Sequence, residues 1–411
     1  MIPRRIFLRD GGLAVLGLSM VPGFVLRAVT AARPRLGRKK ILVTVFQRGG
    51  VDGLNVVVPF GEKAYYDYRP SIAVPAPTVE RASALDLDGF FGLHPSLQPL
   101  LPLYKSGELA VVHAAGSPHS TRSHFEAQDY MESAVPGVKS ARDGWLNRYL
   151  HESQHPEATA FRGIAMGPVL PRTLKGQEPA LAVGGMLAAG EELSETETVY
   201  ATMYSRETDS LLSGTSREMF EAIKQLKSLG EQPALPAGVR YPNGPFGRGL
   251  RDLARLIKAD LGVEVAFLDV GGWDTHAGQG AVEGVLPQRL GQYAQAIAAF
   301  RRDLGDRMAD VVILTMSEFG RTARENGNAG TDHGKANVMF VLGAGVKGGR
   351  VYGEWPGLAR EVLNEDRDLA MTTDFRDVFA EVLVSHMACE NPNAVFPQFT
   401  VDRRRFRGVL G

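Results

Sequence analysis

A mainly parallel α/β sheet flanked by helices is the fold this sequence predicts, on three observations. Short, almost wholly apolar runs rich in β-branched residues recur along the chain. Stretches with a 3.6-residue apolar stripe separate several of them, and polar clusters follow the runs at their ends. Runs apolar at nearly every position suit strands covered on both faces, the usual condition of a parallel sheet.

Residues 41–46 form the first such run, Ile-Leu-Val-Thr-Val-Phe. Further strands are expected at residues 109–113, 263–270, 311–316 and 338–342. Between them, residues 249–261 carry Leu250, Leu253, Leu256 and Ile257 at helical spacing, and residues 290–304 repeat the pattern with Ala294, Ile297, Ala298 and Phe300. A last helix over residues 374–387 sets Phe375, Val378, Phe379, Val382 and Leu383 on one side, with Thr372 or Thr373 as its cap. The pattern loosens in between, with an acidic stretch at 191–197 and Pro/Gly-rich residues 231–245, and residues 130–245 read as an inserted cap over the sheet edge. No repeat of roughly 20 to 50 residues is visible, which argues against a solenoid or propeller.

Composition bounds the function. The 411 residues are 44% apolar and 22% charged, which describes a globular chain. Its 46 basic and 46 acidic residues cancel, so no general electrostatic attraction draws it to nucleic acid or an anionic membrane. The single cysteine, Cys389, permits no internal disulfide and no thiolate metal cage.

At the amino terminus Arg4 and Arg5 precede Phe7 and Leu8, and an apolar run covers residues 13–26. This resembles a twin-arginine export signal. The run is too short and too glycine-rich for a stable span of about 20 residues, and Ala31 and Ala32 suit a peptidase. The expected organisation is a leader over residues 1–32, a basic linker over 33–40 and one domain over 41–411 in the periplasm or outside the cell. The export machinery is then one partner, and no stable membrane span remains after cleavage.

The polar clusters gather at strand ends, where α/β sheets place their sites. After the first strand comes R-G-G-V-D-G-L-N, with Asp52. After the strand at 263–270 comes G-G-W-D-T-H, where Asp274 and His276, two residues apart, point the same way in an extended segment. A carboxylate and an imidazole are good ligands for zinc or another first-row divalent ion. An Asp-His pair steadying a turn is the plainer alternative. After the strand at 311–316 come Glu318, a further ligand, and Arg321, an anion clamp. The next loop holds Asp332 and His333, adjacent and so able to serve one centre only if the backbone bends, which Gly330 and Gly334 allow; Lys335 would meet an anionic oxygen. The stretch S-T-R-S-H-F-E-A-Q-D at 120–129 packs Arg122, Ser123 and His124 into a strand-to-helix junction, where the helix start favours phosphate or sulfate. Ser123 is the candidate nucleophile, or else an ordinary N-cap.

These motifs together, from about residue 40 to residue 385, resemble the exported bacterial family catalogued as domain of unknown function 1501, grouped with the alkaline phosphatase and sulfatase superfamily. The resemblance implies an alkaline phosphatase-like fold with a two-metal site at the strand ends. It makes Asp52 the first ligand, Ser123 the nucleophile, Asp274 and His276 the first pair and His333 the last histidine. Where relatives place Asp-His-Gly after the strand at 311–316, this chain has Glu318-Phe319-Gly320, so one metal lacks an imidazole unless Asp332 or His124 substitutes. With no cysteine in the nucleophile loop, a formylglycine sulfatase is excluded. The function implied is an exported hydrolase of phosphate or sulfate esters using one or two divalent ions, zinc first among them, on a small or polymeric anionic ester. In it Arg122 or Arg321 would neutralise the non-bridging oxygens. The alternative is a non-catalytic exported protein binding a polysaccharide or a protein on the same scaffold.

Overall fold

The computed structural model describes residues 39–80, 82–155, 158–183 and 234–411. The leader, most of the linker, and the acidic stretch of the expected cap lie outside the described residues.

Strand β1 (Ile41–Arg48) is central because its sequence has no polar face to offer solvent: residues 41–47 are all buried. Alternation splits its side chains between two cores. Val43 and Val45 join the core beneath helices Pro245–Lys258 and Val285–Leu304, whereas Leu42 and Phe46 join the core beneath Trp145–Glu152 and Phe375–Ser385. The result is a sheet covered by helices on both faces.

The other strands of this sheet are β2 (Leu109–Gly116), β3 (Gly163–Ala165), β4 (Leu181–Ala182), β5 (Val265–Gly271), β6 (Val311–Met316), β7 (Asn337–Gly343), β8 (Val351–Tyr352) and β9 (Thr373–Asp374). They form a nine-stranded sheet in the order β8-β2-β7-β6-β1-β5-β3-β4, with β9 also on β2. Every pairing is parallel except those of β7, which runs against both β2 and β6. The five expected strands are present, each within a few residues of its expected ends.

Two expectations are corrected. Part of the expected cap, residues 130–245, enters the sheet itself: β3 pairs with β5 and carries β4 at the edge. Strands of two or three residues are too short to show a period, so the sequence pattern hides them. The last helix is capped not by Thr372 or Thr373 but by Asp374, whose carboxylate accepts the Arg376 amide at 2.9 Å. Among the described residues no helix is long and apolar enough to cross a membrane.

Candidate metal centre

The direction of each strand decides which loops meet. β1, β5 and β6 run together, so their carboxyl-terminal loops, with Asp52, with Asp274 and His276, and with Glu318 and Arg321, open at one edge. Antiparallel β7 brings its amino-terminal loop, with Asp332 and His333, to that same edge. Helix α1 (His124–Ser133) follows β2 there and delivers His124 from its first position.

Four ligand atoms converge. His276 Nε2 lies 3.0 Å from Asp274 Oδ1 and 2.9 Å from His333 Nε2, and His333 Nε2 lies 3.2 Å from Asp274 Oδ1. His124 Nε2 stands 3.4 Å from the same carboxylate oxygen. Among the described residues, His124, Asp274 and His333 offer ligand atoms within 4.8 Å of one another. A tetrahedral zinc with bonds near 2.0 to 2.1 Å holds its ligand atoms about 3.3 Å apart, close to the four separations given; His276 adjoins Asp274 and His333 but is not part of the mutually close group.

Proton positions sharpen the fit. Each imidazole turns its Nδ1 to an oxygen: His124 to Glu318 Oε1 at 2.8 Å, His276 to Asp332 Oδ1 at 3.1 Å, and His333 to the Arg122 carbonyl at 2.8 Å. An ionised carboxylate and a carbonyl only accept, so in each neutral ring Nδ1 carries the hydrogen and Nε2 is bare. Three nitrogen lone pairs and one carboxylate then face one another, a repulsive arrangement unless a cation or proton sits among them. His124 Nε2 is buried and has no hydrogen-bond partner among the described residues. Imidazoles oriented through Nδ1 by oxygens are how proteins prepare histidine ligands, and three nitrogens with one carboxylate oxygen suit zinc or a similar divalent ion.

The electrostatics agree. Burial would raise the Asp274 carboxyl, but the hydrogen bond and charge of Arg321, with His276 and His124, hold it at about 2, so it is ionised. Burial lowers the His333 pKa, keeping that ring neutral and able to donate its lone pair; the hydrogen bond to Glu318 instead raises that of His124, favouring a proton on that ring that a bound cation would displace. Burial likewise opposes ionisation of Glu318, yet bonds from His124, Gln128 and the Gly49 amide outweigh it and lower its pKa.

Glu318 and Asp332, expected as ligands, stand behind His124 and His276 instead. Glu318 is buried and its Oε1 also accepts Gln128 Nε2 and the Gly49 amide, each at 2.8 Å. Asp52 is further removed: both of its oxygens are gripped by the buried Arg69 guanidinium, at 2.6 and 3.0 Å, and Gln279 donates to one of them at 2.6 Å. The bend at Asp332-His333 does depend on Gly330 and Gly334, but through close approach and not a left-handed φ. A Cβ there would stand 2.3 Å from the His276 carbonyl carbon and 2.4 Å from that of Arg321.

The expected anion clamps are otherwise engaged. Arg321 is fully buried, bonded to Asp274 Oδ1 at 2.6 Å and to the carbonyls of Gly49, Gly50, Trp273 and Thr331, so it fastens the loops together. Arg122 pairs with Glu365 at 2.7 Å and Asp368 at 2.9 Å, and Lys335 Nζ donates to the Pro118 and His119 carbonyls. Ser123 occupies the N-cap position of α1, yet its hydroxyl makes no cap bond, and the residue is partly exposed.

Several contributors carried no sequence assignment. Gln128 stands four residues after His124, and that i, i+4 spacing was a usable signal that both reach one acceptor. Phe319, buried, lies with its ring centroid 4.9 Å from that of His124 and 4.8 Å from that of His333. Arg69 and Gln279 had no motif to betray them. A recess of about 380 Å³, lined by Lys40, Ala309, Ser385 and His386 among others, opens at the opposite edge of the sheet, away from these ligands.

Residues 39–395 match the family model described as "Protein of unknown function (DUF1501)". No curated protein matches the chain in sequence. Among solved structures the chain is similar to the zinc complex of the C-terminal periplasmic domain of EcEptC from Escherichia coli, at 10% identity over 91% of this chain and 92% of that one, with a TM-score of 0.38. It is also similar to the PsFucS1 sulfatase from Pseudoalteromonas sp., at 11% identity over 77% and 64% of the two chains and a TM-score of 0.32. The lipoteichoic acid synthase LtaP from Listeria monocytogenes is similar at 10% identity over 76% and 68%, with a TM-score of 0.30. Likenesses this loose carry no weight for the reaction.

Proposed function

The chain belongs to the DUF1501 family, whose description assigns no reaction, and from the geometry of its centre we propose that it is an exported metal-dependent hydrolase of phosphate or sulfate esters. The observation that carries this is the convergence of three bare imidazole nitrogens on the ionised Asp274 carboxylate, each ring held through Nδ1.

His124, His276 and His333 through Nε2, and Asp274 through Oδ1, would hold the ion. Bound there, a divalent ion supplies a Lewis acid that polarises a phosphoryl or sulfuryl oxygen. Ser123 precedes His124, and its uncommitted hydroxyl is the nucleophile. Its Oγ forms the bond to phosphorus or sulfur as the ester oxygen leaves. The hydroxyl proton passes to solvent, the departing oxygen takes one up, and water later cleaves the seryl ester. The free amides of the first turn of α1 favour the anionic group. Glu318 and Asp332 keep two of the rings oriented, and Arg321 keeps Asp274 ionised. Twin-arginine export after folding accords with a centre assembled from four separated stretches of chain.

The commitment of Arg122, Arg321 and Lys335 to protein acceptors favours a second reading, a non-catalytic binding protein that retains the metal. Metal analysis of the purified full chain, coupled to a panel of aryl phosphate mono- and diesters and aryl sulfates, separates the two. The hydrolase reading expects bound metal and turnover, both abolished in the Asp274→Ala/His276→Ala double variant. Metal without turnover favours the binding protein, and turnover that survives the double variant sinks the assigned site.

A further inference from the structure

The Asp52 carboxylate stands at the head of a buried chain of hydrogen bonds that ends beside the metal ligands. Arg69 uses all five of its N–H groups: two hold Asp52, and the others go to Asn55 Oδ1 at 2.7 Å, the Ala323 carbonyl at 2.9 Å and the Thr322 carbonyl at 2.8 Å. Fixed in this way, Asp52 accepts from Gln279 Nε2, which settles the orientation of that amide and turns its oxygen the other way. Gln279 Oε1 accepts two hydroxyls, Thr275 Oγ1 at 2.8 Å and Thr331 Oγ1 at 2.9 Å. Thr275 lies between Asp274 and His276, and Thr331 directly precedes Asp332 and His333. Asp52, Gln279, Thr275 and Thr331 are all buried, so water does not compete for these bonds.

We infer that Gln279 is a positioning residue of the centre: anchored by Asp52 and Arg69, its single amide oxygen clasps the two ligand-bearing loops and sets the separation of Asp274 and His276 from His333. Asp52 is then the anchor and not a ligand. Both of its oxygens already accept hydrogen bonds, three in all, and neither belongs to the group of ligand atoms formed by His124, Asp274 and His333. The centre therefore takes one divalent ion. The inference rests on the metal-centre reading above and adds to it the count of ions and the residue behind them.

Cobalt(II) titration of the full chain, followed by its visible absorption, tests this without relying on activity. Wild type is expected to bind one equivalent. Gln279→Leu and Thr331→Val should each weaken binding by roughly tenfold or more and alter the absorption bands, the scale expected for outer residues that orient ligands. Thr331→Ser, which keeps the hydroxyl, should bind and absorb as wild type does. That contrast separates positioning from bulk stability and holds even if Gln279→Leu fails to fold. Wild-type affinity and spectrum in Thr331→Val, with one equivalent still bound by the wild type, would overturn the inference while leaving the metal centre standing. Two equivalents bound by the wild type would overturn it as well. No binding by the wild type would remove the metal centre and the inference with it.

Discussion

Glu318 illustrates how a residue can be found in the right place with a different part to play. Its type and position at a strand end were legible, but depth is not written in a single sequence, and the fold sets it behind His124 and not beside the ion. Replacing the carboxylate by its amide, Glu318→Gln, keeps the shape and removes the charge that His124 Nδ1 donates to. Zinc affinity is expected to fall roughly tenfold in a competition assay. Because the bond to Glu318 is what raises the His124 pKa, the same variant should titrate His124 at lower pH by NMR, and an unchanged titration would contradict the arrangement. Asp274, His276, His333 and His124 could be gathered from the sequence because each lies at a strand end or helix start. The partners of Asp52 could not: Arg69 and Gln279 approach from loops with no period and no motif, and only the folded chain shows that Arg69 neutralises it and Gln279 donates to it. The cations Arg122, Arg321 and Lys335 were visible as charges but not as groups already committed, the arginines to carboxylates and Lys335 to two carbonyls.

Elements were legible in proportion to their length. Strands β1, β2, β5, β6 and β7 each present at least four buried apolar or β-branched positions in a row and announced themselves, whereas β3 and β4 contribute three and two residues to the sheet edge. Direction was not legible either, because an apolar run reads the same both ways; that β7 opposes its neighbours is known only from its pairings. Helix starts depend on single residues and are misplaced by single residues. Asp374 caps Phe375–Ser385 through the Arg376 amide, so Asp374→Ala should cost about 1 kcal/mol in urea unfolding. Thr372 and Thr373, the caps expected from sequence, make no such bond; the Thr372 hydroxyl donates to the Glu354 carbonyl at 2.7 Å instead. Unchanged stability in Asp374→Ala would count against this assignment.

For the molecule as a whole, acid stability follows from histidines outside the centre. His94 and His113 each accept a backbone amide at Nδ1 and face a carbonyl through Nε2, roles that fit only the neutral ring, and His386 faces the Ile41 carbonyl. Burial lowers all three to about 4, from 6.5 when exposed. Below about pH 6.5 the unfolded chain takes up protons that the folded one refuses, so the stability these rings contribute is complete above that pH and is lost as pH falls toward 4. The slope is roughly 1.4 kcal/mol per pH unit for each ring, on the order of 3 kcal/mol apiece in total. Thermal melts between pH 7 and 4 should show the decline. His386→Gln, which can still donate to Ile41, should flatten it; an unchanged slope would remove His386 from the account.

The reversed course of β7 has a mechanical corollary. The link over residues 317–336 leaves one rigid strand and re-enters its immediate neighbour at the same rim, so both of its feet are planted, and between them Arg321 and Thr331 pin it to the β1 and β5 loops. A strap held in this way has little freedom to sag when empty. Uptake of the ion is then closer to filling a finished socket than to gathering loose ends, and an apo form would differ from a loaded one by tenths of an ångström at the histidines and hardly at all beyond them.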